Sequence, residues 1–306
     1  MTARTPFSAE ILDAVFEAVE MDDVVDPVVS LPDPIPVACT RDEMRSCLDL
    51  CIQFWREGAS RAELRDLAAT LLATSDLPLD ARVRFKHIRA RYKHLRFALV
   101  LYGARHKAPL LFRVTVAVMG NLQDAFRNGH RSAVMGYALL LRLLVCWPSW
   151  LAVRRGVSAA RIDDAAGFLA FRSAEIGRLT RWLNEPDLTA HRFHAMRKIV
   201  SRLVSYYDTM RILEPDERMF RMSRFLSAIN GLMGSLHDDL VEAALAGRRD
   251  YNRDLLHLPD DIRERLVALT RAYPGTFAGT GAGPVGAGAN LAGPDASRLR
   301  FSGPEA

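Results

Sequence analysis

Two stretches of the chain repeat the same order of basic and apolar residues. Arg84-Phe85-Lys86-His87-Ile88-Arg89 aligns with Arg192-Phe193-His194-Ala195-Met196-Arg197 at an offset of 108 residues. The match extends downstream: Met119-Gly120-Asn121-Leu122-Gln123-Asp124 parallels Met233-Gly234-Ser235-Leu236-His237-Asp238. Arginine presents a planar fork of donors suited to phosphate oxygens, and lysine adds a point charge. On a helix, Phe85, Ile88, Tyr92, Leu95 and Leu99 fall within a sector of about 80°, with Lys86, Arg89, Lys93 and Arg96 in the sector beside it. In the second copy His194 and Arg197 flank the apolar stripe, with Lys198 and Arg202 beyond. Basic groups at the border of a core stripe are partly sheltered, so several of them converge on one anion at reduced dielectric.

The surrounding charge supports a polyanion partner. Between Ala81 and Ile162 sixteen Lys and Arg face a single carboxylate, Asp124. Solvated helices ordinarily interleave both signs in i,i+4 pairs, and this region does not. Residues 1–40 have the opposite bias, with eight carboxylates against Arg4 alone, so the formal net charge of +5 understates the asymmetry. The acidic leader can cover the basic surface or bind a partner.

Long windows with apolar residues three and four apart, and few Gly or Pro inside them, predict an all-α body over residues 41–274 with no strand candidates. A first repeat spans about 81–160 and a second about 185–272. Asp42 opens a capped helix that ends at Gly58, and Ser60 with Glu63 reads as a capping box for the next. Further helices are expected at about 81–103, 108–128, 130–147, 158–184, 188–212, 215–247 and 259–272. Residues 1–40 read as a short amphipathic helix around Ser8 to Glu20 followed by an extended linker holding Pro27, Pro32, Pro34 and Pro36. Residues 275–306, rich in Gly, Ala and Pro, read as a flexible tail. The two copies differ in the interval from the basic helix to the glycine, which a variable helix connection would explain.

Several classes are disfavoured. The apolar run Met135 to Val153 carries Arg142 at its centre and Pro148 near its end, and reads as a buried core helix ending near Trp147 rather than a membrane span. The acidic first residues do not resemble a secretory signal, which leads to the expectation of a cytoplasmic protein. Cys47 and Cys51 share a helix face without further ligands nearby, so reduced structural thiols and no metal are expected. His237-Asp238-Asp239, with His191 and His194, is the one constellation that suggests a metal-dependent phosphohydrolase. A single His-Asp pair on a helix more often serves the surface or a cap, so no enzyme and no cofactor are expected. Gly120 and Gly234 fit a close helix approach, with Asp124 and Asp238 placed to hold a basic side chain of the paired helix; simple packing and solubility roles fit them equally.

Taken together, HAMRKIVSRL (His194 to Leu203) and INGLMGSLHDDLV (Ile229 to Val241) resemble the second repeat of the conserved histidine α-helical domain, or CHAD, family, and KHIRARYKHLR (Lys86 to Arg96) with VMGNLQD (Val118 to Asp124) a degenerate first repeat. Lys86 stands at the expected histidine, and Ser201 and Val204 interrupt the second basic run. The resemblance implies two repeated four-helix bundles whose basic helices line a cavity that binds inorganic polyphosphate, with association to polyphosphate granules. It implies Lys86, Arg89, Lys93, Arg96, His194, Arg197, Lys198 and Arg202 as the binding residues. The Glu-x-Glu-x-Lys strand of triphosphate-hydrolysing partners is missing from the sequence. The alternative is an all-helical adaptor or secretion regulator of the gatekeeper type, working through protein contacts. Nucleic acid ranks third, because the aromatics near the basic face (Tyr92, Phe97, Tyr206, Tyr207) are better used as core.

Overall fold

A computed structural model describes residues 5–248, 250 and 253–274, all within one compact unit. The Gly/Ala/Pro tail lies outside the described residues. The protein is all-α, as its periodicity predicts. Among the described residues the helices are α1 (Ala9–Glu20), α2 (Arg41–Gly58), α3 (Arg61–Thr74), α4 (Leu79–Leu101), α5 (Leu110–Arg127), α6 (Arg131–Leu144), α7 (Trp147–Ser158), α8 (Ala165–Leu183), α9 (Ala190–Leu213), α10 (Glu217–Leu245) and α11 (Asp260–Ala272). A two-residue antiparallel pairing of Leu188–Thr189 (β1) with Leu255–Leu256 (β2), not expected from the sequence, ties the start of α9 to the approach of α11.

One apolar core runs through the body, with α9 at its centre. Phe193, Met196, Val200, Leu203, Val204, Tyr206, Tyr207 and Met210 of α9 are all buried. Helix α9 packs against α10 along its length and also meets α4, so the basic helices of the two copies lie side by side. Arg172 of α8 is fully buried in an aromatic cage, its guanidinium over the rings of Phe168, Tyr206, Tyr207 and Tyr273 and its Nη2 donating to Tyr207 Oη at 3.0 Å. The cage draws α8, α9 and the end of α11 together by cation–π attraction. The four cysteines are free, and three are buried.

Local signals hold in part. The capping box of α2 forms at Thr40 and Glu43, just before the expected Asp42. Ser60 precedes α3 but makes no side-chain cap, and the Glu63 carboxylate that would complete a capping box pairs with Arg84 of α4. Gly58 ends α2 for a reason the sequence hides: the Arg91 guanidinium fills the space of a Cβ there and donates to Phe54 O at 3.0 Å. That cation complements the C-terminal end of the α2 dipole.

The apolar run Met135 to Val153 is not one core helix. Helix α6 stops at Leu144, and Pro148 sits in the first turn of the separate α7, where its missing N–H costs nothing. Helix α8 accordingly starts at Ala165 rather than near 158. Nor is the run buried on all sides, since Met135, Leu139, Leu143 and Trp147 are exposed. Among the described residues no single helix is long and apolar enough to cross a membrane; α6 and α7 reach that composition only together, across a 69° bend.

The acidic leader is docked instead of free. Leu12 and Val15 of α1 pack on Leu50 and Phe54 of α2, and Glu20 and Asp22 reach His87 at 3.0 Å and Lys93 at 3.4 Å. The proline-containing segment then crosses α9 and α10, accepting hydrogen bonds from Tyr207 to Pro36 O at 2.9 Å and from Asn230 Nδ2 to Asp22 O at 2.8 Å. Gly231 permits this path: a Cβ on it would stand 2.0 Å from Asp23 O. Gly231→Ala is therefore expected to lift residues 22–25, lower stability by about 2 kcal/mol, and speed limited proteolysis within residues 20–30, read by thermal melts and by mass spectrometry of the fragments.

Candidate anion site at the α4–α9 seam

The two copies of the basic motif meet. Arg89 of α4 and Arg197 of α9 are partly buried and close enough to repel each other. Each guanidinium lies over the glycine of the helix paired with its own: the Cβ position of Gly120 on α5 is 3.5 Å from Arg89 Nη2, and that of Gly234 on α10 is 3.2 Å from Arg197 Nη2. At Gly234 a Cβ would crowd the arginine, whereas at Gly120 it would stand at ordinary van der Waals distance, so making room for the guanidinium accounts for Gly234 alone. The interval difference between copies does not sit in the connection alone. Helix α5 has 18 residues and α10 has 29, while the connection shortens from residues 102–109 to residues 214–216.

Further along the seam Arg96, Arg113 and Lys198 gather with Arg202. Burial pushes the pKa of Arg96 down, and Arg202 and Arg113 push it further; burial lowers Lys198 too, followed by repulsion from Arg96 and Arg202. For Arg89 burial again dominates, with Asp124 opposing and Arg197 reinforcing the drop. Cations that lower one another's pKa hold unspent attraction for an anion. Two sheltered atoms sharpen the point: Arg113 Nε and His194 Nδ1 are buried with no hydrogen-bond partner among the described residues.

His194 is neutral at ordinary pH. His194 is brought down to about 3 by burial and then by Lys198, His237 and Arg197. His237 of α10, whose ring centroid is 5.3 Å from that of His194, is lowered by burial and Arg197 against the pull of Asp238. No group of His, Cys, Asp and Glu fit to hold a metal occurs among the described residues.

Carboxylates trim the cluster without neutralising it. Asp124 attracts Arg89 electrostatically, although burial leaves its own pKa raised. Asp238 instead reaches Arg127 of α5 at 3.9 Å, a link from one copy to the other. Glu175 of α8 is buried and holds Arg202 through both carboxylate oxygens, with Arg202 Nε at 3.0 Å from Oε2, and takes Arg178 at 2.9 Å.

Of the eight residues proposed from sequence, Arg89, Arg96, His194, Arg197, Lys198 and Arg202 come together. Lys93 lies off the cluster, paired with Asp22 of the leader and set over the Phe97 ring. Lys86 is exposed. Arg113, Glu175 and His237 also belong to this site and carry no signal in the basic repeat pattern. Arg113 was accessible in principle, seven residues before Gly120 and so on the same face of α5. A groove of about 600 Å³ lies elsewhere, between α1 and the α9–α10 turn, lined by Glu17, Arg211, Asp216, Glu217, Phe220 and Arg224.

Comparison with protein-family models, curated proteins and solved structures gives no significant match.

Proposed function

We propose that the protein binds a polyanion, with inorganic polyphosphate the best fit, at the seam where its two basic helices meet. The observation that carries this reading is like charge set against like charge along the seam, Arg89 against Arg197 and Arg96 against Arg113, Arg202 and Lys198, with buried donors left unpaired. An extended chain of phosphates supplies closely spaced charges and acceptor oxygens along such a seam, and the arginine forks hold them by charge-assisted hydrogen bonds. The reading is non-catalytic: His194 serves as a sheltered donor and as a source of pH dependence.

Titration of fluorescently labelled long-chain polyphosphate tests it, and His194 gives it a signature. A bound anion raises the pKa of His194 above its free value of about 3. Binding then takes up protons, and affinity strengthens as pH falls through the bound-state pKa. Calorimetric titrations near pH 6 in buffers of different ionisation heat are expected to show net uptake, reduced in His194→Gln. No uptake, together with pH-independent affinity, would contradict the placement of the anion beside His194.

A further inference from the structure

Apart from the seam, helix α6 carries a face that the fold leaves uncovered. Its inner side, Val134, Ala138, Leu141 and Leu144, is buried where α6 meets α3 and α5. Its exposed positions are Arg131, Ser132, Met135, Gly136, Leu139, Arg142 and Leu143. At 100° per residue, Met135, Leu139 and Leu143 form one stripe, with Arg131 and Arg142 along one border. The stripe continues into Trp147 at the start of α7, which is 62% exposed with the Arg61 guanidinium 5.4 Å from its ring centroid. Leu139 and Leu143 are 56% and 59% exposed, far too open for core residues.

The charge around the stripe is of one sign. No carboxylate occurs between Asp124 and Asp163, and Arg127, Arg131, Arg142, Arg154 and Arg155 are exposed. Two copies meeting through this face would bring these arginines together, which disfavours self-association. A protein partner would need hydrogen bonds about every 100–200 Å² of interface, and the face offers only Ser132 and arginines around a convex apolar ridge. A lipid surface needs neither a groove nor matched acceptors. Apolar side chains enter the acyl boundary, tryptophan sits at headgroup depth, and arginines extend along the surface to the phosphates. Fourteen residues of helix span about 21 Å, too short to cross, so the helix would lie in the plane.

We propose that α6, with the start of α7, docks the protein on anionic lipid bilayers as a peripheral face, distinct from the α4–α9 seam. Met135, Leu139, Leu143 and Trp147 insert, and Arg131 and Arg142 engage lipid phosphates.

The test is co-sedimentation of the full chain with vesicles of phosphatidylcholine alone and of equal parts phosphatidylcholine and phosphatidylglycerol. Binding is expected to the mixed vesicles only, with quenching of Trp147 by brominated lipid, the quenched signal disappearing in Trp147→Phe. Leu139→Gln with Leu143→Gln, both at exposed positions, is expected to lower partitioning more than tenfold. Arg131→Gln and Arg142→Gln each lower it about fivefold, and Arg89→Glu with Arg197→Glu leaves the Trp147 quenching in place. Quenching lost in that last variant would instead assign vesicle binding to the seam and overturn the proposal. So would a wild-type protein that stays in the supernatant, equal binding to neutral vesicles, or a solution dimer dissolved by the leucine pair.

Discussion

Arg89→Glu combined with Arg197→Glu is expected to weaken polyphosphate binding by about a hundredfold or more, since each lost charge-assisted contact accounts for about 1.5–3 kcal/mol. The two arginines come from different copies of the repeat, each lies over the glycine of its partner helix, and each feels the other's charge. Reversing them removes two donors and places carboxylates where the anion's charge would lie. Two glutamates at these positions repel each other as the arginines do, and the attraction of Arg89 to Asp124 is lost, so thermal melts of the double variant check that it stays folded. Unchanged polyphosphate affinity in a folded double variant would remove the seam from the account. Fluorescence anisotropy with labelled polyphosphate makes the measurement.

Glu175→Gln is expected to act in opposite directions on stability and binding. Glu175 is 2% exposed and holds both Arg202 and Arg178. Removing a buried partner leaves Arg202 uncompensated, which destabilises by roughly 3–5 kcal/mol. The same change releases Arg202 into the cluster and adds to its net positive charge, so polyphosphate affinity rises. A ligand that prefers the folded state stabilises it by mass action, so saturating polyphosphate is expected to restore part of the lost thermal midpoint. A merely structural Glu175 would lower stability without improving affinity. Differential scanning fluorimetry with and without polyphosphate, paired with anisotropy, separates the two outcomes.

The site was legible where like residues recur at fixed spacing. Arg89 and Arg197, with Gly120 and Gly234, stand out because the repeat aligns them, and their meeting follows from packing the two basic helices side by side. What the repeat cannot carry is a contribution made by one copy only. Arg113 falls opposite Ser227 of α10, and Glu175 comes from α8, outside the motif altogether. Lys93 fits the basic sector by angle, yet the leader crosses there and Asp22 takes it. That outcome depends on Gly231 leaving space for the backbone at Asp23, a contact between segments some 200 residues apart that no local pattern announces.

The fold shows the same division between local and distant causes. Helical periodicity placed the body correctly, because each helix buries a face of its own. In the sequence Pro148 looks like a helix stop, whereas it lies in the first turn of α7, since proline is compatible with a first turn as well as with a stop. Leu139 and Leu143 read as core because composition reports that a residue is apolar, not whether another element covers it. The Glu63 carboxylate that a capping box would turn back to Ser60 is taken by Arg84, a pair that only the approach of α3 and α4 creates.

The central claim is that the seam selects closely spaced phosphates rather than negative charge in general. Titrating long-chain polyphosphate, short single-stranded RNA and duplex DNA against the full chain over a series of salt concentrations tests it most directly. The account predicts that polyphosphate binds most tightly and persists at moderate salt, while the two nucleic acids bind weakly and are lost. Three polyanions binding with equally low affinity and the same salt slope would contradict it and favour a protein that works through contacts with other proteins.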